Sequence, residues 1–132
     1  MLAALALLTT ALLFGGMTLY AFGFAAVLFK TLPMPSARAV LRGAFPWFYL
    51  FVIGTATLAA LAWWPHDPAK AALMAAVALS TVPTRQLLMP AINRATDAGD
   101  RRRFAWLHGL SVLITLAHIA ATGWLLATLT LS

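Results

Sequence analysis

The chain is 132 residues long, 63% apolar and 9% charged, with a mean hydropathy of +0.91. Soluble domains average roughly 45–50% apolar and about 25% charged residues, so this composition excludes a water-soluble enzyme and a disordered tail. Without cysteine there is no disulfide-stapled scaffold, thiolate metal site or cysteine redox chemistry either. The net charge of +6 would suggest nucleic acid in a soluble protein, but here the basic residues flank long apolar runs. They read as topology signals and anionic-lipid contacts, and no nucleic-acid partner is expected.

A membrane helix needs about 20 mostly apolar residues to cross about 30 Å of hydrocarbon. The first such segment runs from about Leu2 to Phe29, with no charge before Lys30. It lacks the positive n-region and short apolar core of a secretory signal, which predicts a retained helix. The second runs from about Pro46 to Trp64. Phe45-Pro46 supplies a start at which the missing proline N–H costs nothing. Trp63, Trp64 and Pro65 mark its far end at the interface. The third, about Pro68 to Ile92, is apolar through Val82 and then polar; Pro83 and Pro90 predict a kink or break. The fourth runs from about Phe104 to Leu131, interrupted by His108, His118 and small hydroxyl or glycine residues. Gly15, Gly16, Gly23, Gly54, Gly109, Ala117 and Ala121 are expected at close helix contacts.

Of the nine Lys and Arg, Lys30, Arg38, Arg42, Arg85, Arg94, Arg101, Arg102 and Arg103 fall in or beside the first and third connections, and Lys70 alone in the second. The positive-inside rule then places both termini on the non-cytoplasmic side of a multi-pass cell membrane protein, the inner membrane if the host is a Gram-negative bacterium. The expected fold is all-α: an integral membrane antiparallel four-helix bundle forming a single domain over residues 1–132.

Depth brings one polar cluster together. Tyr49, Thr84, Arg85, Gln86, Asn93, His108 and Ser111 all lie towards the cytoplasmic side, where they are expected to face one another rather than lipid. Such a cluster either packs helices through hydrogen bonds or binds a small ligand or lipid headgroup, while Arg101, Arg102 and Arg103 suit lipid headgroups directly. His118 lies about 15 Å along the helix from His108, so the two cannot share one metal, and a hydrogen bond to Ser80, Thr81 or Thr57 is its simplest role. No metal site is expected; a haem or copper reading would draw on His108 or His118 with a partner from another helix. All three acidic residues, Asp67, Asp97 and Asp100, fall in expected loops. Carboxylate-driven transport and paired-carboxylate hydrolysis are therefore disfavoured, and no catalytic residue is assigned.

Gly15-Gly16-Met17, Phe22 to Phe24, Val27-Leu28-Phe29, Arg42 ahead of Phe45-Pro46 with Tyr49, Pro90, and Phe104 with Leu107-His108-Gly109-Leu110-Ser111 resemble the transmembrane protein 205-like domain over roughly residues 12 to 125. The resemblance implies a small four-helix membrane protein without an established activity, more distantly similar to copper-resistance D-type membrane proteins and a haem-binding oxidase family. Ala91 stands where that family often has arginine, and Thr84 and Thr115 where it often has asparagine. The first helix has no histidine, unlike the haem-binding relatives. A non-enzymatic protein contacting the lipid bilayer, without cofactor, is the leading expectation. A haem- or copper-binding redox protein and a small transporter acting as a homo-oligomer are the rivals.

Overall fold

The computed structural model describes residues 1–131 as four long helices: α1 (Leu2–Thr31), α2 (Met34–Trp63), α3 (Pro68–Asp97) and α4 (Arg101–Thr130). At about 1.5 Å per residue each is about 45 Å long, more than the hydrocarbon thickness of about 30 Å. All four are long and apolar enough to cross a membrane.

Cross-helix pairs give the register. Thr10 meets Trp63 and Tyr20 meets Ala44; Arg85 meets Pro46 and Arg42 meets Asp97; Ser80 meets His118. The α1–α2 and α2–α3 pairs descend along one helix as they rise along the other, and Ser80 and His118 lie equally far from the turn that joins α3 to α4, so consecutive helices are antiparallel. α2 packs closely on both α1 and α3, while α4 closes the bundle against α1 and the second half of α3 and is the least covered.

The second helix begins at Met34, not at Pro46. Pro35 in the first turn favours that start, and Pro46 lies inside the helix. Ser36, Arg38 and Arg42 make the first turns too polar to register as hydrocarbon, yet nothing there stops a helix from continuing past the membrane. From Arg42 to Trp63 the axis covers about 32 Å, so the basic residues and the tryptophans are separated by about the thickness of a bilayer's hydrocarbon.

The prolines of α3 do not break it. A π-type turn over Thr84–Leu88, with the Met89 N–H bonded to the Thr84 carbonyl, widens the helix just before Pro90. The extra residue relieves the clash between the proline ring and the preceding turn. α1 carries a second such turn at Leu19–Phe24.

Caps fix the connections. The Asp67 carboxylate accepts the N–H groups of Ala69 and Lys70 at 3.1 Å each, and also the Lys70 ammonium. Asp100 accepts the Arg103 N–H at 3.1 Å to start α4, and Gly99, at φ +69°, supplies the left-handed residue that ends α3.

The core is small-sided at the tryptophan end, where Ala56, Ala59 and Ala62 of α2 are buried, and aromatic towards the basic end. Leu13, Met17, Phe48, Val52, Met74 and Leu125 fill the middle, all fully buried or nearly so. Leucines and tryptophans such as Leu8, Leu61, Leu79, Leu113, Trp47 and Trp124 point outward all round. An apolar shell of this extent suits lipid and not water. Buried threonines satisfy their hydroxyls on their own helix: Thr9 on Leu5, Thr10 on Ala6, Thr81 on Val77 and Thr84 on Ser80.

The expected role of the small residues holds at Gly16, where an added Cβ would lie 2.6 Å from the Phe51 ring; Gly123, which the sequence did not single out, is as tight, its Cβ falling 3.0 Å from the Phe14 ring. It fails at Gly15, Gly54 and Gly109, where a Cβ would meet nothing within 4 Å. Those three are turned to the outside of the bundle.

Candidate polar site at the basic end

Around Pro46 the helices meet through polar groups. Proline has no N–H, so the Arg42 carbonyl four residues earlier loses its helical donor. Two side chains arrive within a turn of this gap. The Tyr20 hydroxyl of α1 donates to the Ala44 carbonyl at 2.8 Å, and the Arg85 Nε of α3 donates to the Pro46 carbonyl at 3.1 Å. Tyr20 also stacks on Phe48 with ring centroids 5.0 Å apart, and meets Phe45 edge-on at 5.9 Å. Phe45, Phe48 and Tyr49 extend this aromatic cluster into the core.

Arg85 is half-buried, and its Nη1 donates to the Gln86 amide oxygen at 2.8 Å. A guanidinium has five N–H groups, so three remain uncommitted. Among the described residues no carboxylate pairs with it. Asp97 is held bidentate by Arg42 at 2.6 and 2.9 Å, Asp67 is engaged by Lys70, and Asp100 caps α4.

Of the other expected members, Tyr49 and Thr84 line one interior crevice, and the rest are dispersed. Thr84 is buried but bonds only within α3. The Ser111 hydroxyl donates to the His108 carbonyl of its own helix at 2.7 Å. Tyr49 is buried among aromatic rings, Asn93 is half-buried, and Gln86 is exposed apart from its bond to Arg85. His108 is exposed, its ring stacked on Phe104 at 5.2 Å. Within the expected set, Arg85 is the residue whose hydrogen bond crosses to another helix. Arg101, Arg102 and Arg103 are exposed at the start of α4.

His118 lies deeper and pairs with Ser80, Nε2 to Oγ at 2.8 Å. It lines an interior crevice with Tyr49, Thr81, Thr84 and Thr115 that has no room for a water molecule. Among the described residues no three His, Asp or Glu side chains gather as metal ligands.

Three pairs escaped the sequence reading: Arg42 with Asp97, Tyr20 with the Ala44 carbonyl, and Trp63, whose indole N–H donates to the Thr10 hydroxyl at 3.0 Å. Arg42 and Asp97 were both assigned to loops. The available signal was their opposite charge at the same end of adjacent antiparallel helices.

The architecture defines an all-α protein with four candidate membrane spans, a polar tie near Pro46 and a lipid-facing apolar shell. A family model described as a domain of unknown function (DUF4149) matches residues 8–101, and the chain belongs to this family. The match takes in α1, α2 and α3 and ends where α4 begins. No curated protein and no solved structure matches the chain.

Proposed function

We propose that this chain is a non-enzymatic, cofactor-free multi-pass membrane protein on the transmembrane protein 205-like plan, whose basic end faces the cytoplasm and binds an anionic headgroup or small anion at Arg85. The eight-to-one division of Lys and Arg between the two ends supports the orientation, with both termini outside the cytoplasm. Arg85 itself carries the binding reading: it is a half-buried guanidinium, oriented by the Pro46 carbonyl and Gln86, with three free N–H groups and no carboxylate partner among the described residues. A cation so placed in an apolar setting is stabilised by an anion that accepts two of its N–H groups, as phosphate does.

The test uses glycerol phosphate, the headgroup anion without acyl chains, added to the full chain in neutral detergent. Binding at a concentration 100 times Kd stabilises the folded protein by about 2.7 kcal/mol, read as a rise in Tm. Arg85→Ala abolishes the rise and Arg85→Lys reduces it, because an ammonium lacks the planar fork. No rise in the parent protein, or an equal rise in Arg85→Ala, overturns the assignment. A Soret band or stoichiometric copper in protein purified from its native membrane would replace it with the haem or copper reading.

A further inference from the structure

α1 and α2 leave an open groove of about 700 Å³ on their outer face, lined almost wholly by apolar groups. Gly16 and Gly23 are part of its lining: the Phe51 ring lies over Gly16, where a Cβ would come within 2.6 Å of it, and a Cβ at Gly23 would press on Leu19 of the same helix at 3.1 Å. Leu19, Trp47 and Phe51 form the walls. The lining runs along α1 from Leu12 to Val27, about 22 Å at the helical rise, against about 15 Å for half the hydrocarbon thickness. The groove therefore extends from the basic interface past the midplane.

At its basic end the lining reaches Val27, and Lys30 follows three residues later in regular helix, on the same face. Lys30 is exposed and no carboxylate among the described residues pairs with it. There is no acidic residue anywhere before Asp67, and Arg38 adds a second exposed cation at the same end.

We propose that this groove holds one acyl chain of an anionic phospholipid whose phosphate sits at Lys30. The site is separate from Arg85 and does not depend on it. Charge also decides against a second copy as the occupant. Copies in one membrane share an orientation, so a two-fold contact along this groove would bring Lys30 of both copies to the same end with no carboxylate paired to either.

The test is retention of added phosphatidylglycerol or phosphatidylcholine, with identical acyl chains, by the full chain in native mass spectrometry. It is run on the Arg85→Ala variant, so that headgroup binding at Arg85 does not contribute. Phosphatidylglycerol is expected to be retained about fivefold better, the worth of one basic residue at an anionic surface. Lys30→Gln lowers that preference, whereas Arg101→Gln leaves it, and the phosphatidylcholine level is unchanged in both. Gly23→Leu fills the groove and lowers retention of both lipids. Phosphatidylglycerol with brominated chains should quench parent fluorescence more than that of Trp47→Phe, which reads groove occupancy without filling the groove. Equal retention of the two lipids, a preference that Lys30→Gln leaves unchanged, or identical quenching with and without Trp47 overturns the proposal. A dimer that Gly23→Leu dissociates overturns it in favour of a second copy.

Discussion

Thr10→Val tests how far a buried hydrogen bond holds α1 to α2. Thr10 is fully buried and Trp63 only 7% exposed, and the indole N–H lies 3.0 Å from the threonine oxygen. Valine keeps the branched shape but removes the acceptor, so the indole N–H loses its partner in an apolar setting. In a water-soluble core that loss is worth about 1–3 kcal/mol. Inside a membrane the unfolded reference also finds partners, and measured couplings average about 0.6 and reach about 1.7 kcal/mol. Trp63 sits at the tryptophan end of the bundle and Thr10 is fully buried, so a coupling of about 0.5–1 kcal/mol, within the range of such couplings, is expected. The assay is a double-mutant cycle of Thr10→Val and Trp63→Phe by equilibrium unfolding in mixed micelles. Trp63→Phe also alters the contact with the Lys70 ammonium, 5.5 Å from the ring centroid, but that loss occurs on both sides of the cycle and cancels. Additivity within about 0.3 kcal/mol would refute the bond as a tie between the helices.

Adjacent glycines should behave oppositely. Gly16→Ala forces Phe51 to move and should cost about 1–3 kcal/mol, whereas Gly15→Ala meets nothing and should be neutral or gain up to about 1 kcal/mol from helix propensity. A Gly15→Ala variant less stable than Gly16→Ala contradicts the packing. At the α2–α3 turn, the Asp67 carboxyl is held below its ordinary value of 3.8, first by the hydrogen bond from the Lys70 side chain and next by the Lys70 backbone N–H. Its folded pKa is depressed, so its contribution is complete above the unfolded value and is lost as pH falls through the folded one. Tm in detergent should therefore decline on acidification below about pH 3.8. Asp67→Asn keeps a capping side chain but should flatten that decline, and an unchanged acid limb would show that the Asp67–Lys70 pair does not contribute to it.

The four spans were legible because each is a local property: an apolar run long enough to cross hydrocarbon needs no knowledge of its neighbours. The start of α2 was not, since Met34 to Phe45 is helical without being apolar enough to register as a span. The same limit governs the site. His118 found Ser80, one of the three hydroxyls within its expected reach, because depth alone restricts the choice. His108 lies at the expected level but faces outward, because the rotation of α4 about its axis is set by packing that no single segment encodes. Arg42 and Asp97 are 55 positions apart, and only the antiparallel register of α2 and α3 makes them partners.

That register also explains why the two ends of the bundle differ. Near Trp63 the alanines of α2 let α1 and α3 approach on regular helix, and the polar contacts there are closed pairs. Around Pro46 a missing N–H interrupts α2, and the side chains that approach, Tyr20 and Arg85, both come from the π-type turns of α1 and α3. Two helices thus depart from regular geometry, and a third lacks one hydrogen bond, around one residue, and one guanidinium enters that region with three N–H groups uncommitted. A turn with an extra residue re-aims side chains and is frequent at functional sites, whereas regular alanine packing offers no group to a ligand. Lys30, one turn beyond the apolar groove of α1 and α2, lies at the same basic end. The chemistry open to a partner is therefore concentrated between Lys30 and Arg85, and the tryptophan end acts as the clamp that keeps α1, α2 and α3 in register.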